Sequence, residues 1–126
     1  MSQAHHPSLW GKRILIVEDE YFIADELKKV FADGGAVVVG PVPTLDRAVD
    51  MVGCERIDLA VLDINLRGLS VFPVADALRS RGIPFVFATG YDENAIPGEY
   101  RGVPRWEKPF NSSEIAAALP SLWDNP

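Results

Sequence analysis

The segment Arg13–Val17 reads RILIV, almost wholly apolar, with no polar alternation after its arginine. A strand with one wet face alternates apolar and polar side chains, so an unbroken apolar run demands cover on both faces, the condition of a strand inside a parallel sheet. Parallel neighbours cannot be joined by a tight turn and need a long crossover, usually a helix. The chain supplies such crossovers. Ile23, Leu27, Val30 and Phe31 make an amphipathic stripe that Gly34 and Gly35 stop, and AVVVG (36–40) reads as the second strand. Thr44 is placed to cap a helix turning Leu45, Ala48, Val49 and Val52 inward, and DLAVL (58–62) is the third strand. A third helix is expected over 70–80 with Val74, Ala77 and Leu78 buried and Pro73 near its first turn. PFVFA (84–88) is the fourth strand, and VPRW (103–106) a short fifth at an edge, since Pro104 cannot donate to a ladder. The last helix starts at Asn111, with Glu114 placed as in a capping box, and buries Ile115, Ala118 and Leu119 until Pro120 ends or kinks it.

Strands alternating with helices predict an α/β doubly wound sheet, in which crossovers are right-handed and ligands sit at the carboxyl ends of the strands. Glu18 and Asp19 follow the first strand, Asp63 the third, Thr89 the fourth and Lys108 the fifth, so all are expected on one rim. Two carboxylates about 4 Å apart repel by roughly 4 kcal/mol at an effective dielectric of 20, so three converging acids need a counter-charge or must take up protons. A hard divalent cation answers this. Mg²⁺ takes oxygen ligands at about 2.0 to 2.1 Å and is usually held by one or two carboxylates plus a phosphoryl oxygen. Three carboxylates then balance Mg²⁺ and Lys108, and a phosphoryl group arriving there meets positive charge on two sides. Asp63 is the expected nucleophile, because carboxylates form aspartyl-phosphates, and the Thr89 hydroxyl is suited to the new phosphoryl oxygens. Glu20 is expected to point to solvent from the first helical turn.

Composition narrows the partners. The 126 residues are 48% hydrophobic, which suits one packed domain, here 12–126 behind an N-terminal tail of 1–11. The formal charge of -6, with no dense basic run, excludes a nucleic-acid backbone as direct partner. A single cysteine, Cys54, cannot make an internal disulfide, and no apolar run approaches the roughly 20 residues of a bilayer span. A cytoplasmic protein without membrane insertion is expected. His5 and His6 lie in a polar tail and are expected to be solvated, while Trp10 and Trp123 are expected to pack where the termini meet the domain.

The segments ILIVEDE, LAVLDINL, FATGY and EKPF, in this order and spacing, resemble a response-regulator receiver domain over Lys12 to Trp123. The resemblance implies a flavodoxin-like (βα)5 fold, a parallel five-stranded sheet in order 2-1-3-4-5. It implies that Asp63 accepts phosphate from a histidine kinase or histidine phosphotransfer protein, with Mg²⁺ held by Glu18, Asp19, Asp63 and the Asn65 carbonyl. Thr89 and Lys108 would bind the phosphoryl group, and Lys108-Pro109 is often cis in such proteins. The chain would be a phosphoacceptor that assists its own phosphorylation and dephosphorylation, not an enzyme acting on a separate substrate.

Two features depart from the common receiver pattern. Arg105 stands where most receivers have an aromatic switch three residues before the lysine, and YDENAIPGEYR (91–101) holds Pro97 and Gly98, so the fourth helix is expected to be short or a mobile loop. PFVFATGY without that aromatic resembles the FATGUY subgroup, typically stand-alone receivers of alphaproteobacterial signalling. Tyr91 either packs as a loop aromatic or replaces the switch by moving toward Thr89. Arg105 is expected as an exposed edge charge or a partner contact, and Trp106 as half-buried core or an interface anchor. No output segment is expected after Pro126, so signalling would run through contacts with an unknown downstream protein, or the domain would serve as a phosphate sink. Three alternatives remain beside this. A nucleotide-binding relative of the fold needs a Gly-rich loop after the first strand, where this chain is acidic. An aspartate-nucleophile phosphatase resembles D-x-D, where this chain has Asp63-Ile64-Asn65. A receiver fold used as a phosphorylation-independent interaction module keeps the architecture without the chemistry.

Overall fold

A computed structural model describes residues 9–90 and 96–124. Five strands form one parallel sheet: β1 (Arg13–Val17), β2 (Val37–Val42), β3 (Leu59–Leu62), β6 (Phe85–Thr89) and β7 (Arg105–Glu107), in the order β2-β1-β3-β6-β7. Strands β4 (Asn65–Leu66) and β5 (Leu69–Ser70) form a separate antiparallel hairpin. With that hairpin set aside, the sheet order is the expected one.

Each central strand is apolar because it feeds two cores. Leu15 and Val17 of β1, Ala60 and Leu62 of β3, and Phe85 and Phe87 of β6 face one layer, which α2 (Leu45–Cys54) and α3 (Phe72–Ser80) complete with Ala48, Val52, Val74, Ala75 and Leu78. The intervening residues Ile14, Ile16, Leu59, Val61, Val86 and Ala88 face the other, covered by Leu27 and Phe31 of α1 (Tyr21–Asp33), Ile115 of α4 (Ser112–Ala118) and Leu119. The period-two geometry of a strand thus sends alternate residues to opposite helical layers.

Several local expectations are corrected. Ser70 belongs to the hairpin, so α3 starts at Phe72. Strand β2 starts one residue later than expected and runs on through a cis Gly40-Pro41 bond, with Gly40 at a φ of 92°, where a Cβ would meet the Val42 nitrogen at 2.8 Å. Thr44 occupies the N-cap of α2 but its side chain makes no capping bond, whereas the Asn111 side chain accepts from Ser113 N at 2.8 Å. Val49 is exposed and Ala118 only half-buried. The chain breaks between α4 and α5 (Pro120–Asp124), as Pro120 requires. The expected short fourth helix is represented, among described residues, by a single 3-10 turn at Gly98–Tyr100. Residues 91–95, and with them the Tyr91 switch and the first part of the expected mobile stretch, lie outside the described residues, as do His5, His6 and the Trp123 side chain.

The expected tail is corrected at its end. Trp10 is 75% exposed, not packed on the domain, while Leu9 is buried in the α1-side core and its N–H donates to the Gly34 carbonyl at 3.0 Å. A Cβ at position 34 would lie 3.1 Å from the Leu9 side chain, so the glycine that ends α1 also makes room for this leucine. Leu9→Ala is expected to lower stability by about 2 to 4 kcal/mol in urea denaturation, a core-sized loss. A true tail residue would lose almost nothing.

Candidate functional site

The sheet ladder itself assembles the rim. Beyond the last paired residues, Glu18 N donates to Val42 O at 3.1 Å, Asp63 N to Val17 O at 2.8 Å, and Lys108 N to Thr89 O at 2.9 Å. These bonds fix the backbones of the residues that follow β1, β3 and β7 side by side, and their side chains meet at the Lys108 ammonium. Lys108 Nζ lies 2.6 Å from Glu20 Oε1, 3.1 Å from Glu18 Oε2 and 3.2 Å from Asp63 Oδ2. Lys108-Pro109 is cis.

Glu20 is therefore a correction: it turns into the site and not to solvent alone. Asp19 is differently engaged, with its Oδ2 accepting from Arg67 N at the hairpin tip at 3.0 Å. The hairpin is a frame for the site. Arg67 and Gly68 adopt φ of 53° and 85°, Gly68 N donates to Asn65 Oδ1 at 2.8 Å, and Asn65 N reaches Asp63 Oδ1 at 3.4 Å. Asp19, Glu20, Asp63, Asn65, Gly90 and Lys108 line an open depression of about 330 Å³, so Asp63, though buried, faces a reachable space. Thr89 is fully buried at the end of β6, one residue before the Gly90 that lines the depression.

The electrostatics are those of a crowded acidic site. Burial and the neighbouring Asp63 push Glu18 up to about 8, against the opposing pull of the Glu20 N–H and of Lys108. Burial also raises Asp63, partly offset by Lys108 and by hydrogen bonds from Glu18, Lys108 and Asn65. For Lys108 burial disfavours the charge, but the hydrogen bond to Glu20 and the Glu18 and Asp63 charges outweigh it and hold the ammonium above the ordinary lysine range. Glu18 Oε1 is buried with no hydrogen-bond partner among the described residues. One carboxylate oxygen each from Glu18, Glu20 and Asp63 lie within 4.8 Å of one another. An orphaned carboxylate oxygen, an all-oxygen donor set and an excess of negative charge fit a hard divalent cation.

A pH dependence follows. Unfolded Glu18 releases its proton near 4.5, while the folded residue keeps it to about 8, so between these values rising pH favours the unfolded chain. Metal-free protein is expected to lose stability on the order of a few kcal/mol from pH 5 to pH 8.5. Urea denaturation in a chelator at the two pH values checks this. A stability that rises over the window contradicts the buried, protonated Glu18.

The remaining sequence candidates sit nearby. Arg105 pairs with Phe87 on the edge strand and is partly buried, not fully exposed, and Trp106 packs half-buried against the α1-side core. Tyr100 was not anticipated. It is buried among Phe72, Phe85 and Phe87, its hydroxyl donates to the Asp76 carboxylate, and Arg79 lies 4.3 Å above its ring. No helix among the described residues is long and apolar enough to cross a membrane.

Comparison with known proteins agrees with this geometry. Residues 14–119 match the family described as the response regulator receiver domain. The transcriptional regulatory protein YvrH of Bacillus subtilis is 32% identical over 110 residues, 84% of this chain and 46% of that protein. This chain spans about half the length of the curated relatives it matches. The solution structure of SdrG from Sphingomonas melonis Fr1 superposes with a TM-score of 0.79 at 42% identity, covering 90% of this chain and 97% of that one. The BeF3-activated conformation of SdrG, from Pseudomonas melonis Fr1, superposes at 0.72 with 43% identity over 87% of this chain and 94% of that one.

Proposed function

The chain belongs to the response-regulator receiver family of two-component signalling, and from that premise we propose that Asp63 is the phosphoacceptor of a phosphorelay. The observation that carries the reading is the meeting of Asp63 with Lys108 at 3.2 Å inside an open acidic depression. A carboxylate oxygen of Asp63 forms a bond to phosphorus as the bond from phosphorus to the donor breaks. For a phosphohistidine donor the imidazole nitrogen keeps the electron pair of the broken bond. Lys108 balances charge on the transferred oxygens, and the Thr89 hydroxyl is the further donor proposed for them.

Glu18, Asp19, Asp63 and the Asn65 carbonyl are the residues proposed to hold Mg²⁺. When bound, the ion supplies positive charge that offsets the carboxylates and draws the phosphoryl oxygens. The Asn65 N–H and the hairpin hold Asp63 in place, and the Lys108 contact orients the oxygen that reacts. Glu18, buried at the back of the site, is the group whose proton the ion would displace.

The donor is proposed to be a histidine kinase or a histidine phosphotransfer protein in the cytoplasm. The match to nearly all of the SdrG chain supports a receiver that works alone, through contacts with a downstream protein or as a phosphate sink. Incubation with acetyl phosphate and Mg²⁺ followed by intact-mass measurement tests the reading. A gain of one phosphoryl group is expected. No gain in a protein that binds Mg²⁺ would favour a phosphorylation-independent interaction module.

A further inference from the structure

Lys108 is saturated in this structure. An ammonium has three N–H donors, and Nζ has three carboxylate partners, Glu18, Glu20 and Asp63. A phosphoryl oxygen that takes up Lys108 must displace one of them. Two of the three are poor candidates to leave: the Glu18 side chain is 1% exposed and would lose its partner where water cannot replace it, and Asp63, 6% exposed, is kept beside Lys108 by the bond it forms to the phosphoryl group itself. The Glu20 side chain is 60% exposed and moves into water on release. It is also the nearest of the three to the ammonium, at 2.6 Å. Its position has a second peculiarity: Glu20 is the N-cap of α1 but makes no side-chain capping bond, while its own N–H donates to Glu18 Oε2 at 3.0 Å. The backbone is thus pinned to the site, and the carboxylate forgoes the helix for Lys108.

We propose that Glu20 competes with the incoming phosphoryl group for Lys108 and so sets how readily Asp63 is phosphorylated. This role rests on the phosphoacceptor reading above. In the resting protein the Glu20 carboxylate occupies the N–H that the phosphoryl oxygen needs, and adds a negative charge facing an anionic donor. On phosphorylation the ammonium exchanges Glu20 for a phosphoryl oxygen, and Glu20 is released to solvent as a free carboxylate. Glu20 is then a positioning residue that holds the lysine in reserve.

The test compares wild type, Glu20→Gln and Glu20→Asp as full chains. Beryllofluoride affinity and the acetyl phosphate reaction rate are measured with Mg²⁺ in excess, Mg²⁺ affinity separately by calorimetry, and stability by urea denaturation. Glu20→Gln is expected to bind beryllofluoride and to react about tenfold better, the weight of one hydrogen bond to a charged group. Mg²⁺ affinity is expected to stay close to wild type, the metal-free folding equilibrium to weaken by no more than the same tenfold, since the same hydrogen bond is lost, and Glu20→Asp, one methylene short of Lys108, is expected to fall between. An unchanged beryllofluoride affinity overturns the competition. So does a joint fall in Mg²⁺ affinity and reaction rate, which would make Glu20 a metal ligand, as its nearness to Glu18 and Asp63 permits. A wild type that takes up neither phosphoryl group nor beryllofluoride overturns the phosphoacceptor reading itself, and this role falls with it.

Discussion

Asp63→Asn is expected to abolish phosphoryl uptake from acetyl phosphate while leaving the fold intact. An amide nitrogen and a neutral carbonyl oxygen offer no nucleophile of carboxylate strength, so the intact-mass gain seen in wild type should disappear. The same substitution separates chemistry from electrostatics. Asp63 raises Glu18 toward 8 and is itself held against the cost of burial, so a neutral isostere relieves repulsion at the back of the site. Metal-free Asp63→Asn should therefore match or exceed wild type in urea at pH 8, by about 1 kcal/mol. Mg²⁺ affinity should fall, because one of the proposed charged ligands is gone. A variant that still gains a phosphoryl group would place the modification on another residue, and one that is strongly destabilised at pH 8 would contradict the repulsion between Asp63 and Glu18.

Legibility in the sequence followed the range of the interaction. RILIV, LAVL and FVFA declare themselves because burial on two faces leaves no room for polar residues, and that pattern is local. The rim inherits this clarity: once the strand ends are placed, Glu18, Asp63 and Lys108 must lie together, and they meet as expected. What was missed depends on partners that sequence spacing does not reveal. Glu20 sits at a helix start, where an exposed acid is ordinary, and only the fold brings Lys108, 88 residues away, within 2.6 Å. Asp19 lines the same depression, as expected, but its partner, the Arg67 N–H at the hairpin tip, was not legible.

The other misses have similar causes. Strands of two residues have no period to read, so the β4-β5 hairpin passed unseen although Arg67-Gly68 is its turn. Leu9 is a single leucine in a polar segment and carries no stripe. Val49 lies within a helical stripe, but α2 packs near the sheet edge and buries only Ala48 and Val52, a narrower face than the period suggests. Tyr100 reads as a loop aromatic, yet Phe72, Phe85 and Phe87 make a pocket for its ring and Asp76 accepts from its hydroxyl.

Lys108→Ala is expected to have the second large effect, and its size should change with pH and metal. The Lys108 side chain is 14% exposed, and its ammonium is a shared counter-ion for Glu18, Glu20 and Asp63. Removing it takes away the cation bonded to all three acids, two of which are buried. Breaking one side of a buried ion pair typically costs about 3 to 5 kcal/mol; at a rim where Glu20 can turn to water the expected loss is about 2 to 4 kcal/mol in urea at pH 8 without metal. Glu18 already holds its proton to about 8, and loss of Lys108 pushes it higher, so at pH 5 Glu18 is neutral and the part of the deficit that its buried charge causes should vanish. Saturating Mg²⁺ at pH 8 should restore stability in the same way, because a divalent ion supplies the charge the lysine gave. Phosphorylation should not recover with stability. A bound Mg²⁺ would supply charge but not the N–H donors of Lys108, and loss of one such electrostatic contact costs about 10²- to 10³-fold in rate. A variant as stable as wild type at pH 8 in chelator would show that Lys108 is not the counter-ion of this cluster, and a rate restored by Mg²⁺ alone would remove its proposed role on the phosphoryl oxygens.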